Sequence, residues 1–281
     1  MKAILRDLPY WTLPPGLYRL AGVVKRMLTQ GLSSEVRNAL AKNTVFEGCH
    51  RGERGFLLGC GPSIKTQDLK PLANEICMSV SNFFVHPDFD VIQPAYHILS
   101  GRHDPITEEA WSDWVKQADA TIGEAILLTP TSDRPQIVRE GLLRNRRLHY
   151  LHTKGTETDI SRRGIALDRG LLHGGVLVLA IQVMIYMGFK RIYLVGFDTD
   201  QVLNYQKSRH FYEEDESAMT RHGYDEWFYE DFGRICMFYV EIWDQLRIIR
   251  RVAEKHGVEI VNATAGGCLD LFPRAVYEEV I

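Results

Sequence analysis

The sequence predicts an α/β protein built on a doubly wound, mostly parallel, Rossmann-like sheet, and three observations carry the prediction. Short apolar runs recur along the chain with helix-patterned segments between them, the alternation that yields parallel strands joined by crossovers. Several of these runs end in clusters of Gly, Ser, Asn or Asp, as strands do when their carboxyl ends face a ligand crevice. The segment VLVLAIQVMIYMGF is almost wholly apolar and is followed at once by an apolar strand, which makes both central. Six or more strands are expected, in one domain over residues 46–281, with a basic helical arm over residues 1–45 and a polar lid inserted at about 201–232.

Composition narrows the classes. At 281 residues the chain is long enough to bury a substantial core. Its 45% hydrophobic and 25% charged residues and formal net charge of −3 are those of a globular protein with no bulk attraction to nucleic acid. Five cysteines (Cys49, Cys60, Cys77, Cys236, Cys268) without C-x-x-C spacing argue against a disulfide framework and a zinc site and fit a reducing cytoplasm. No apolar run approaches the roughly 18–20 residues of a bilayer span, and no signal-peptide pattern opens the chain.

Taken in order, residues 1–51 hold eight Lys/Arg against three Asp/Glu. The stretch GLYRLAGVVKRML reads as a helix with Leu17, Leu20, Val24 and Leu28 on one side. Such a helix could lie against the inner face of an anionic membrane, or pack on the domain or on a second subunit. The stretch Gly55 to Lys65, GFLLGCGPSIK, reads as a buried strand (Phe56–Leu58) running into a glycine-rich turn with Ser63 as helix cap. Gly59, Cys60, Gly61, Pro62 and Ser63 would then offer bare N–H groups and a helix dipole to a nucleotide phosphate. An ordinary strand-to-loop connection is the plain alternative, and neither the dinucleotide nor the P-loop fingerprint is present. Residues 66–74 read as a short helix, Ile76–Val80 as a strand ending in Ser81-Asn82, and Ala95–Leu99 as a strand ending in Ser100 to Asp104. A helix over 107–120 with Trp111 and Trp114 and a strand Ala125–Leu128 follow. Arg144, Arg146 and Arg147 could hold a phosphate or form a solvated face. After Gly174-Gly175 come the apolar helix and the strand Ile192–Val195, ending in GFDTD. Residues 201–232 are too polar and aromatic for core and read as an excursion over the crevice. A helix Arg234–His256 stopped by Gly257, a strand Glu259–Val261 and the loop Asn262–Gly267 close the domain.

Three segments, GFLLGCGPSIKTQDL, GGVLVLAIQVMIYMGFKRIYLVGFD and EKHGVEIVNATAGG, together resemble the MptE-like (DUF115) superfamily. It includes the bacterial lipooligosaccharide sialyltransferases, motility-accessory flagellin glycosyltransferases and archaeal 6-hydroxymethylpterin diphosphokinases. The resemblance covers roughly residues 45–272. On the sialyltransferase pattern it implies that the GCGPS loop faces the phosphate of a CMP-activated sugar, that Gly174-Gly175 lies beside ribose and base, and that a lid histidine deprotonates the acceptor hydroxyl. Cys60 stands where that pattern has asparagine, and the asparagine expected after the second strand falls at Ser81, with Asn82 next.

Glycosyl transfer needs an anion cradle, a base and something to offset charge on the departing phosphate. The base candidates are His210 and His222, with a carboxylate such as Asp198 or Glu214 if neither histidine serves; the charge could be met by Arg209, Arg221, Tyr212 or a metal. Asp198 and Asp200 have D-x-D spacing and could hold Mg²⁺ or Mn²⁺, whereas the resemblance implies no cofactor and a positioning role for Asp198. The expected activity is transfer from a nucleotide sugar, CMP-sialic-acid-like, to a surface glycan or glycolipid, with a homo-oligomer an open option. The alternatives are an ATP-dependent pyrophosphoryl transfer of the diphosphokinase kind and a non-catalytic sugar-nucleotide-binding module.

Overall fold

The computed structural model describes residues 32–104, 106–155, 157, 160, 161, 164–204, 210–213 and 232–281. The chain divides into two units, Met1–Asn38 and Ala39–Ile281. The helix expected around residues 16–28 and most of the proposed lid lie outside the described residues. The second unit holds the sheet and the site.

Seven strands form one sheet: β1 (Arg54–Leu58), β2 (Cys77–Val80), β3 (Tyr96–Ile98), β4 (Ile126–Pro130), β5 (Leu148–Leu151), β6 (Arg191–Val195) and β7 (Glu259–Asn262). All are parallel, in the spatial order β5-β4-β3-β2-β1-β6-β7. The fold is α/β, as expected. Both sheet faces are covered, so the period-2 alternation of a strand becomes an alternation between two apolar layers. Leu57 faces a layer built with the helices α3 (Gly175–Met187) and α4 (Phe232–Lys255). Phe56 and Leu58 face the opposite layer, with Phe83, Phe84 and the Trp111 and Trp114 rings of α1 (Glu108–Thr121). In α4 the buried Ile242, Leu246, Ile249 and Ala253 fall three or four residues apart, the stripe of a helix half-sunk in a core.

Ten of the residues of α3 are buried, among them Gln182, which is fully buried. Its amide bonds the Leu172 N–H (2.9 Å) and the carbonyls of Leu172 (3.1 Å) and Val178 (3.0 Å). This polar clamp fixes the chain that enters the helix at Gly174-Gly175.

Three readings of elements need correction. Residues 66–74 do not form one helix; two five-residue 3₁₀ turns, Pro62–Thr66 and Lys70–Asn74, occupy the region, each with a proline at its start. Strand β5 and the helix α2 (Arg134–Glu140) were not anticipated, because β5 is an edge strand whose Leu148, His149 and Tyr150 are half-buried and make no apolar run. Within the polar excursion Phe211 and Tyr212 are buried with the Phe83 layer, so this part of it belongs to the core.

Candidate functional site

The strand order places a topological switch point at β1. From β1 the chain builds outward through β2 to β5, then returns to the other side of β1 with β6 and β7. Connections leaving β1 and β6 diverge, and a crevice opens at their carboxyl ends, the usual ligand site of such sheets. There a cleft of about 200 Å³ is walled by Cys60, Gly61, Ser81, Gly174, Gly175, Asp198 and His210, with Gln201 and Tyr239. Residues singled out far apart in sequence thus meet in one place.

The glycine turn is built against the loop after β6. Gly59 N–H donates to the Val195 carbonyl (2.8 Å) and Gly61 N–H to the Gly196 carbonyl (2.8 Å). The Ser63 N–H (3.2 Å) and hydroxyl (2.9 Å) donate to the two carboxylate oxygens of Asp198. Ser63 is therefore a partner of Asp198 and caps no helix, and three N–H groups expected to be bare are taken up internally. A Cβ on Gly61 would overlap the Asp198 carboxylate and come within 2.8 Å of the Gly196 carbonyl oxygen. One on Gly267 would come within 2.5 Å of the Asp198 Cα. Glycine on both sides lets Asp198 sit almost fully buried between the two loops. Burial raises its carboxyl above the ordinary range, and the two bonds from Ser63 oppose that shift.

Pro62 opens the five-residue 3₁₀ turn, too short to carry much of a dipole. The regular helix whose amino end opens on the cleft is instead α3, beginning at Gly175. Gly174 packs within 2.7 Å of the Gln245 side chain of α4, measured from where a Cβ would stand. Burial pushes the Cys60 thiol up to about 12, and its S–H donates to the Val80 carbonyl at 3.4 Å.

Ser81 has φ 54°, uncommon for a non-glycine residue. This keeps Ser81 in the cleft, where its hydroxyl accepts from the Ser100 hydroxyl at 3.0 Å, and turns the next residue inward. Asn82 is 1% exposed; its amide N–H donates to the Tyr212 hydroxyl at 2.6 Å and its carbonyl accepts from the Trp114 indole. It does not reach the cleft. His210 does, and its neighbours fix it: Phe211 N–H donates to the Cys60 carbonyl at 3.0 Å, and the Tyr212 ring stacks on the imidazole at 4.8 Å and 7°. Arg209, Arg221 and His222 lie outside the described residues.

The acid pair has separate partners: Asp198 is held by Ser63, and Asp200 accepts from the Asn204 amide at 2.6 Å. Among the described residues no three His, Cys, Asp or Glu side chains converge as metal ligands. The basic run is structural in part: Arg146 bonds Asp119 (2.5 Å) and the carbonyls of Asp119 and Gly123, and Arg147 bonds the Glu124 carbonyl. No helix among the described residues is long and apolar enough to cross a membrane.

Sequence reasoning missed the contribution of α4, whose Tyr239 and Ile242 wall the cleft. It also missed Asp133, just past β4. That carboxylate accepts from the Arg102 N–H (3.3 Å) and from the Thr129 (3.4 Å) and Ser132 (3.2 Å) hydroxyls, yet burial pushes it up to about 6. The D-R-P sequence entering a helix was the available signal, since aspartate before proline commonly sits at a helix start.

No protein-family model matches the chain, and no curated protein matches its sequence. Among solved structures it is similar to the sialyltransferase CstII from Campylobacter jejuni in complex with a substrate analogue, CMP-3FNeuAc. The identity is 12%, the coverage 79% of this chain and 84% of that one, and the TM-score 0.40.

Proposed function

We propose that the protein is a glycosyltransferase that uses a nucleotide-activated sugar, with a CMP-sialic-acid-like donor and a glycan or glycolipid hydroxyl as acceptor. The observation that carries this reading is the convergence of the glycine turn, the amino end of α3, Asp198 and His210 in one cleft at the switch point of the sheet. The amino end of α3 supplies positive potential for the donor phosphate, and Gly175, where a Cβ would meet nothing nearer than the Ile242 side chain at 4.0 Å, leaves room for it to approach. The nucleoside would lie beside Gly174 and Gly175. His210 is the general base that takes the acceptor proton, since imidazole is the side chain best suited to accept and release a proton near neutrality. Asp198 shapes the turn through Ser63.

The test is a thermal-shift panel with CMP, UDP, GDP and ATP, each with and without Mg²⁺. CMP alone should raise the melting temperature by several degrees at millimolar concentration. Stabilisation only by ATP with Mg²⁺ would move the protein to pyrophosphoryl transfer. Binding of CMP with no release of CMP from a CMP-activated sialic acid would leave a binding module.

A further inference from the structure

Residues 210–213, the described residues around His210, form no helix or strand that would aim it. Side chains among the described residues contribute to its orientation. The imidazole lies flat against the Tyr212 ring, with centroids 4.8 Å apart and planes 7° from parallel. Tyr212 is 5% exposed, and its hydroxyl accepts a 2.6 Å hydrogen bond from the Asn82 amide. Asn82, 1% exposed, accepts in turn from the indole N–H of Trp114, which is fully buried in α1. Phe211, wedged by Phe83 and His86 at ring distances of 6.2 and 5.0 Å, holds the backbone of the same stretch.

We infer that Asn82 and Tyr212 are positioning residues for His210: the indole–amide–phenol chain fixes the phenol plane, and the phenol plane fixes the imidazole. A buried hydrogen-bonded chain suits this task, because breaking one link leaves the others desolvated and unpaired. Stacking restrains the tilt of the ring and leaves its nitrogens at the edge, where a hydroxyl proton can be met. The inference rests on His210 acting as the base. It places Asn82 behind the catalytic group, one step from the cleft, and gives Tyr212 a role other than contact with phosphate.

The experiment has two arms on the full chain. In the first, the imidazole proton and carbon resonances of His210 are assigned by comparison with His210→Ala. In the native protein they should lie upfield, shielded by the phenol ring, and move toward ordinary imidazole values in Tyr212→Phe and in Asn82→Ala. In the second, CMP release from a CMP-activated sialic acid with a glycan acceptor is followed. Tyr212→Phe should lower kcat about tenfold, the scale expected of a misaimed catalytic group, with KM for the donor within twofold. In the His210→Ala background the same change should cost nothing further. Equal losses in both backgrounds, with a lowered melting temperature, would make the contact merely structural and overturn the inference. So would His210 resonances that are unshielded, or that stay put in both variants. If Asn82→Ala does not fold, Tyr212→Phe alone decides. Unchanged turnover in Tyr212→Phe, with His210→Ala inactive, sinks the tether and leaves the base. Full turnover in His210→Ala sinks the base and the tether with it.

Discussion

At Gly61 the need for glycine is set by Asp198 before any ligand arrives, since a Cβ there would occupy the place of the carboxylate. Gly61→Ala should therefore destabilise the protein by about 1–3 kcal/mol through overpacking. Part of that loss should disappear in an Asp198→Ala background, where the collision with the carboxylate is relieved and the close approach to the Gly196 carbonyl remains. Denaturant unfolding of the four proteins measures it, and an equal loss in both backgrounds would show that Asp198 is not the obstacle. Asp133 gives a second prediction at this scale. Its folded pKa of about 6 lies above the ordinary carboxylate value of about 3.9, so this group favours the folded state below pH 4 and opposes it as the pH rises through 6. Asp133→Asn should raise the unfolding free energy at pH 8, by an upper bound of about 3 kcal/mol, and give no gain near pH 4. A gain independent of pH would mean that the carboxylate is not the titrating group. Much of the site was legible at this scale, because glycine turns and acids after apolar runs announce themselves. The direction of Asn82 was not, since it depends on a positive φ at Ser81 that no serine advertises.

Among elements, α3 was the most readable and still held a surprise in Gln182. A lone glutamine in an otherwise almost wholly apolar segment of fourteen residues would pass as a tolerated defect, yet it satisfies both backbone groups of Leu172 and so aims the entry to Gly174-Gly175 at the cleft. Gln182→Leu should leave those groups desolvated and unpaired and cost about 1–3 kcal/mol. It should also raise the hydrogen-exchange rate of the Leu172 amide and weaken nucleotide binding without touching a cleft residue. Native exchange at Leu172 in a folded variant would remove Gln182 from the account of the site. Strand β5 escaped notice for the opposite reason: with one neighbour in the sheet, it lacks the continuous apolarity that marks central strands. The 3₁₀ turns at 62–74 were misread because prolines that are welcome at a helix start also end short helices early.

For the molecule as a whole, α/β alternation could be read from the sequence, but the place of β6 beside β1 could not. That neighbourhood joins residues more than a hundred positions apart, and strand order is decided by how faces are buried, not by local pattern. It is this pairing that brings the turn after β1 against the loop after β6 and buries Asp198 between them. One consequence concerns protons exchanged with solvent. A carboxyl already displaced upward by burial is displaced further when a phosphate is brought into the same cleft, so on the reading above binding should draw protons from the buffer. Calorimetric titration of CMP at a pH well below the roughly 6 at which its own phosphate titrates, repeated in buffers of different ionisation enthalpy, should give heats that vary with the buffer in the sense of proton uptake. Affinity should fall as the pH rises, and Asp198→Asn should remove this uptake. The same heat in every buffer would mean that Asp198 keeps one charge state throughout.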